Sequence, residues 1–147
     1  MRIVVDTNIF FSALLNTNSK IAKIILQPKS RLNFYSTEQL IFEIGEHHDK
    51  ILKISKYSPQ ELDKLIKIIT QKIRFINVNL IPKSVYEKAL ELTKEIDIDD
   101  TEFIALTEHI KGKIWSGDKE LIKGLTLKKW NKSISTNELY TLIKSKS

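Results

Sequence analysis

Four acidic positions carry most of the chemistry this chain can do: Asp6, Glu43, Asp100 and Asp118. Asp6 ends the apolar run Ile3-Val4-Val5 and opens the triplet Asp6-Thr7-Asn8, an acid, a hydroxyl and an amide in succession. An acid where a buried strand breaks off stands at the mouth of a sheet, where it can face a ligand and need not be buried unpaired. Asp118 follows a second short apolar run, Asp99-Asp100 open a predicted helix, and Glu43 lies about two turns into another. Carboxylates gathered from such scattered positions repel one another unless a cation sits among them. The pattern therefore implies a metal site. The chain has no cysteine, and His47, His48 and His109 lack metal-ligand spacing with one another, so the ligands are oxygens and the ion a hard one, Mg²⁺ or Mn²⁺. No glycine-rich phosphate loop is present, and no serine or threonine carries a signature that pairs it with a base.

Each acid also has a plain structural reading. Asp6 can cap the helix that follows it. Asp99 fits a helix cap better than a ligand, because Glu102 three residues on completes a capping box, and Asp100 is then one position too far in to be the cap. A second acid there adds repulsion for little dipole benefit, which makes Asp100 the better ligand. Most helix glutamates are merely solvated, as Glu43 can be, and Ser116-Gly117-Asp118 can be an ordinary turn. The set of four is more informative than any member.

The elements that must hold these residues alternate between strand and helix. Arg2 to Val5 reads as a buried strand and Thr7 to about Leu15 as a helix; Ile21, Ile24 and Ile25 mark a second helix stopped near Pro28. Leu32 to Tyr35 reads as a strand, followed by a helix opened by a Ser36/Gln39 box and carrying Leu40, Glu43, Ile44 and His47. Ser58-Pro59-Gln60-Glu61 starts another, with Leu62, Leu65, Ile66, Ile69 and Ile73 as its inner face. Phe75 to Val78 is predicted as a strand, Ser84 with Glu87 as the cap of a helix to about Glu95, and Asp99 with Glu102 as the cap of the one bearing Phe103, Leu106 and Ile110. Lys113 to Trp115 and Lys132 to Ser135 are predicted strands, and Ser135 with Glu138 opens a last helix. Such alternation implies an α/β fold around a mainly parallel sheet. Ligands bind outside the carboxyl ends of such strands, where Asp6 and Asp118 fall.

At 147 residues, 41% apolar and 29% charged, the chain reads as one soluble globular domain, 1–147. Met1 to Val5 is too short for a signal peptide, and no apolar run nears the roughly 20 residues of a membrane span, so a cytoplasmic location is expected. The net charge of +6 suits a polyanionic partner. Its distribution says more than its total. From Glu87 to Glu108 eight acids face two lysines, whereas from Lys111 onward nine lysines face three acids. An acidic focus in a basic chain suits an enzyme that holds a cation and attracts a phosphate backbone, although helix faces of opposite sign can also arise without function.

With these residues placed, the chain resembles the PIN domain, the ribonuclease fold of the VapC-type toxins of toxin-antitoxin systems. Ile3-Val4-Val5-Asp6-Thr7-Asn8 matches that family's first motif, and Ser12-Ala13-Leu14-Leu15 continues as in its toxin-component branch. Glu43 sits where the family has its helical glutamate, Asp99-Asp100-Thr101-Glu102-Phe103-Ile104-Ala105-Leu106 matches the third motif, and Trp115-Ser116-Gly117-Asp118-Lys119-Glu120-Leu121 the fourth. Ile134 to Leu139 resembles the closing strand and helix. Glu120 departs from the pattern, since many relatives carry an aspartate there. The resemblance implies a three-layer α/β/α domain acting as a metal-dependent endoribonuclease, with Asp6, Asp100 and Asp118 on one or two Mg²⁺ (or Mn²⁺) ions and Glu43 as a further ligand or base. Thr7, Asn8 and Ser116 would position water or the acids, with Asp99 and Glu120 as lesser members. It also implies RNA as substrate, a homodimer and a small antitoxin protein. A silent RNA-binding or assembly module of the same fold, and a hard-metal nuclease acting on DNA, use the same residues and stay open.

Overall fold

In the computed structural model, which describes residues 1–28 and 31–144, strand β1 (Arg2–Val5) is the centre of a five-stranded sheet in the order β3-β2-β1-β4-β5. All its pairings are parallel. The remaining strands are β2 (Asn33–Thr37), β3 (Ile73–Ile76), β4 (Lys113–Trp115) and β5 (Ser133–Ile134). Ile3, Val4 and Val5 are fully buried, as a central strand covered on both faces must be. This is the expected mainly parallel sheet, and with its flanking helices it forms the three-layer α/β/α arrangement.

Helices α1 (Thr7–Leu15), α2 (Lys20–Leu26), α3 (Glu38–Ile54) and α4 (Pro59–Thr70) form one packed group, with α8 (Thr136–Lys144) against α2. Helix α6 (Thr101–Ile110) lies against β1, β2 and β4, and is backed by α5 (Lys83–Thr93). Phe103, Ile104, Ala105 and Leu106 on α6 are all buried, and so is Trp115 of β4, whose ring lies 6.0 Å from that of Phe34. After α6 the chain must turn sharply into β4. Gly112 makes that possible, since a Cβ there would fall 2.5 Å from the Arg2 carbonyl oxygen.

Several sequence expectations need correction. The Ser36/Gln39 box is displaced by one residue: Ser36 belongs to β2 and donates to the Val5 carbonyl at 2.9 Å, while Thr37 caps α3 by accepting from Gln39 N. Ser84 does not cap α5, which begins after Pro82 without a side-chain cap. Strand β3 starts at Ile73, two residues before the expected start, because Ile73 pairs with Phe34 in the sheet instead of extending the face of α4. A helix was also missed: α7 (Lys119–Leu127), which buries Leu121 and Leu125. The Ser58/Glu61 and Ser135/Glu138 boxes both form as expected.

Candidate active site

Consecutive strands run outward from β1 through β2 to β3, and the chain then crosses back to place β4 on β1's other side. The carboxyl edge between β1 and β4 is thus the switch point of the sheet, where α/β folds open a crevice. Val5 pairs in register with Trp115, so the residues that follow them, Asp6 and Ser116, emerge side by side. The Ser116 hydroxyl bonds to the Asp6 carboxylate and accepts from Asp118 N at 3.1 Å, which ties both acids to one serine.

Asp6 is 2% exposed and caps α1, accepting from Ile9 N at 2.9 Å. Burial raises its pKa to about 6 against the Ser116 and Ile9 hydrogen bonds, and the charges of Asp118 and Glu43 push the same way. The cap and ligand readings of Asp6 are therefore compatible. Asp118 caps α7, accepting from Leu121 N at 3.1 Å.

The third motif folds differently from expectation. Asp99 and Glu102 form no capping box. Asp97 instead caps a 3₁₀ turn, Ile98–Asp100, by accepting from Asp99 N at 3.0 Å, and Asp100 takes the N-cap position of α6 with no side-chain cap bond. Buried Thr101 fixes this turn: its hydroxyl donates to the Ile98 carbonyl and meets the Thr93 hydroxyl of α5, both at 2.6 Å. Freed from capping, the Asp100 carboxylate meets its neighbours. Burial, then the charges of Asp97, Asp6, Asp118 and Asp99, raise its pKa to about 7.

One carboxylate oxygen each from Asp97, Asp100 and Asp118 lie within 4.8 Å of one another. Asp97 is the member that the sequence does not single out, since it lies within an acid run, although an aspartate two residues before Asp99 has the spacing of an Asx turn. Asp6 adjoins this trio and interacts with its charges but is not within its span. Thr7, 8% exposed, has a buried hydroxyl with no hydrogen-bond partner among the described residues. Three hard oxygen donors converging beside an orphaned buried hydroxyl fit a divalent cation with its waters.

The cleft in front of these acids has a volume of about 310 Å³, and Asp6, Thr7, Asn8, Glu43, Asp97 and Asp100 are on its walls. Glu43 reaches it from α3, held by Gln39, whose amide donates at 2.8 Å both to Glu43 Oε1 and to the Asp99 carbonyl. Gln39, a capping residue on sequence grounds alone, thus locks α3 to the Asp97–Asp100 turn. His47 also lines the cleft, edge-on to Phe11. Asp99 faces it, whereas Glu120 is exposed in the first turn of α7 and does not line it.

Residues 4–139 match the PIN domain family. The chain belongs to that family, whose members are generally nucleases. It is 31% identical over 143 residues to an uncharacterized protein of Methanocaldococcus jannaschii, spanning 95% of this chain and 83% of that one. Its fold is similar to that in the crystal structure of VapBC2 from Rickettsia felis bound to a DNA fragment from their promoter, with a TM-score of 0.66 at 13% identity over 92% of this chain and 97% of the other. Among the described residues no helix is long and apolar enough to cross a membrane.

Proposed function

We propose that the protein is an endoribonuclease dependent on Mg²⁺ or Mn²⁺ and the toxin of a cytoplasmic toxin-antitoxin pair. The observation that carries this reading is the convergence of carboxylate oxygens from Asp97, Asp100 and Asp118 within 4.8 Å. Membership of a nuclease family supports the reaction class. In this reading Asp97, Asp100 and Asp118 hold the cation, with Asp6 orienting from behind or binding through water. What the ion supplies is positive charge against the phosphoryl oxygens and a more acidic water. Glu43, with Oε1 occupied by Gln39, offers its second oxygen as the base that takes the proton from the attacking water. The Asn8 amide donates hydrogen bonds to water or phosphate at the cleft wall, the buried Thr7 hydroxyl supports the acids from behind it, and Ser116 keeps Asp6 and Asp118 in register. Lysines around the acids hold the RNA backbone electrostatically. A homodimer and an acidic antitoxin bearing one cationic side chain for the cleft complete the proposal.

The test is to incubate the pure protein with labelled RNA and DNA in Mg²⁺, Mn²⁺ or EDTA. RNA is cut only with metal, and Asp6→Asn abolishes the cutting without unfolding the protein, since asparagine still caps α1. Cutting of DNA alone, or cutting that survives EDTA, refutes the assignment. Expression of the wild type slows growth, Asp6→Asn does not, and co-expression of the antitoxin restores growth. Equal harmlessness of the two forms, with an enzyme active in vitro, removes the toxin role and leaves the nuclease.

A further inference from the structure

Asp118 stands on a ridge. One side of it meets Asp97 and Asp100, and the other belongs to a second cleft of about 460 Å³ between the start of α7, the end of β5 and the start of α8. That volume falls within the roughly 300–1,000 Å³ of small-ligand sites. The two clefts have no lining residue in common and differ in chemistry. The first is lined largely by carboxylates; the second is lined by apolar Ile122 and Ile134 together with Lys119 and Lys123, one helical turn apart on α7. Among the described residues neither lysine has an ion-pair partner. The walls also carry unused donor capacity: the Ser133 hydroxyl makes no hydrogen bond among the described residues, and the Thr136 hydroxyl accepts from Trp115 Nε1 at 3.0 Å, leaving its own proton free. Glu138, the other acid on this wall, accepts from Ser135 N and so is turned to its own helix.

We infer that this second cleft is a nucleotide subsite, taking the nucleotide next to the scissile phosphate with its base on Ile122 and Ile134 and its phosphate between Lys119 and Lys123. The inference rests on the nuclease reading of the acidic cleft. A strand whose scissile phosphate sits over Asp100 and Asp118 meets acids on the α3 side and free cations only a ridge away, so electrostatics directs its next phosphate toward α7. Single-stranded RNA is read through unstacked bases on apolar surfaces with hydrogen bonds to their edges, which is what Ile122, Ile134 and the Ser133 and Thr136 hydroxyls offer. The chemistry of the lining favours a nucleotide over a peptide: two unpaired lysines for a phosphate, apolar Ile122 and Ile134 for a base, and hydroxyl donors for its polar edge.

The experiment uses the full chain with Asp6→Asn to prevent cutting, and measures binding of short fluorescent oligoribonucleotides of varied sequence across a salt series. The same substitutions in the active chain report the cleavage-site profile. Lys119→Gln with Lys123→Gln weakens binding of every sequence and lowers the log–log salt slope by about 0.7 for each phosphate no longer neutralised. Ser133→Ala leaves the slope unchanged but flattens the base preference at one position beside the cut. If the wild type cuts RNA and all these variants bind and cut as it does, the subsite is refuted and the nuclease stands. If the lysine pair matters but Ser133→Ala leaves the base profile intact, the cleft is only a backbone path and the base subsite is refuted. If the wild type neither binds nor cuts RNA with any metal, the nuclease reading itself falls and the subsite with it.

Discussion

Helix α6 starts at one carboxylate and ends beside another, and their surroundings are opposite. Asp100 at its N-terminus faces Asp97, Asp6, Asp118 and Asp99, and burial together with those charges lifts its pKa to about 7. Glu108 in the last turn is also largely buried, with 11% of its side chain exposed. It accepts from Trp130 Nε1 at 2.6 Å and Lys132 Nζ at 2.9 Å, with Lys88 at 3.8 Å. Burial is the largest single influence on Glu108 and would raise its pKa, but the two hydrogen bonds and the two lysines together outweigh it and hold it below the usual glutamate range. Two like charges 4 to 5 Å apart repel by about 3 to 4 kcal/mol at an effective dielectric near 20, less where water reaches them. Several such pairs rival a domain's net stability of about 5–15 kcal/mol. A carboxylate kept for the fold, as Glu108 is, has its partners built in. The acids at the other end accept hydrogen bonds from backbone and serine but, among the described residues, pair with no cationic side chain, an arrangement that suits a cation from solution.

The comparison breaks most sharply on activity. Asp100→Asn is expected to lower cleavage by more than the roughly 10–100-fold that losing an outer partner costs a metal site. Glu108→Gln is expected to leave the initial rate per folded molecule unchanged on the same labelled RNA. Asp97→Ala should fall with Asp100→Asn, and Asp99→Ala should stay near wild type, because only the Asp97 carboxylate reaches the trio. Equal losses at Asp100 and Glu108 would show that the two ends of α6 do not differ in role.

Stability should move the other way. Glu108→Ala removes the acceptor for a partly buried indole N–H and the partner of Lys132, an expected loss of about 1–3 kcal/mol in denaturant unfolding. Asp100→Asn removes one charge from a repulsive group and should stabilise the metal-free protein at pH 8. A destabilised Asp100→Asn would mean that the carboxylate serves the fold.

These contrasts bear on what the sequence could disclose. Strand β1 and helix α1 were legible to the residue, since an unbroken β-branched run followed by Asp-Thr-Asn leaves one reading. The convergence of Asp6 and Asp118 was legible too, from strand ends in a parallel sheet. Asp97 was not. Its role depends on a 3₁₀ turn that displaces the cap from Asp99, and that turn is fixed by the Thr93–Thr101 contact between α5 and α6, a tertiary interaction. The same holds for Gln39, whose two bonds span α3 and a turn 60 residues later in the chain. Helix α7 was hidden because its short amphipathic stretch follows Ser-Gly-Asp, which reads equally well as a turn.

Acidity sharpens the contrast between the two ends. Asp6 and Asp100 have folded pKa values of about 6 and about 7, above the usual carboxylate value of 3.8. The folded state therefore binds their protons more tightly than the unfolded chain does. Their contribution is favourable at low pH and is lost as pH rises through about 6 to 7. Glu108, held low, works in the reverse sense, and its contribution is lost only as pH falls below the normal glutamate range. The metal-free protein should thus gain stability from the site acids as pH drops from 8 to 5, a gain that Asp100→Asn reduces. Millimolar Mg²⁺ or Mn²⁺ should raise the melting temperature at pH 8 and much less at pH 5, where protons compete for the same oxygens. A metal-induced shift equal at both pH values, or unchanged in an Asp6→Asn/Asp118→Asn protein, would show that these acids share no cation.

The smallest expected effect lies just beyond Glu108. Lys111 closes α6 in the left-handed region at φ 55°, ψ 45°, and the chain there folds back so that Gly112 N reaches the Thr107 carbonyl at 3.0 Å. That backbone suits glycine and strains a lysine, because the lysine Cβ crowds its own carbonyl. Lys111→Gly should relieve the strain while making the unfolded chain more flexible, two opposed effects of which strain relief is the larger at a left-handed helix end, for a net gain of about 0.5 to 1 kcal/mol. The exposed ammonium is not part of either cleft, so cleavage should be unaffected. Thermal unfolding of Lys111→Gly beside Asp100→Asn then separates the two ends of one helix: both changes stabilise the metal-free protein at pH 8, but only the change at the acidic end removes activity. A Lys111→Gly protein that lost cleavage would show that the C-terminal end of α6 also positions the site, and the division between the two ends would fail.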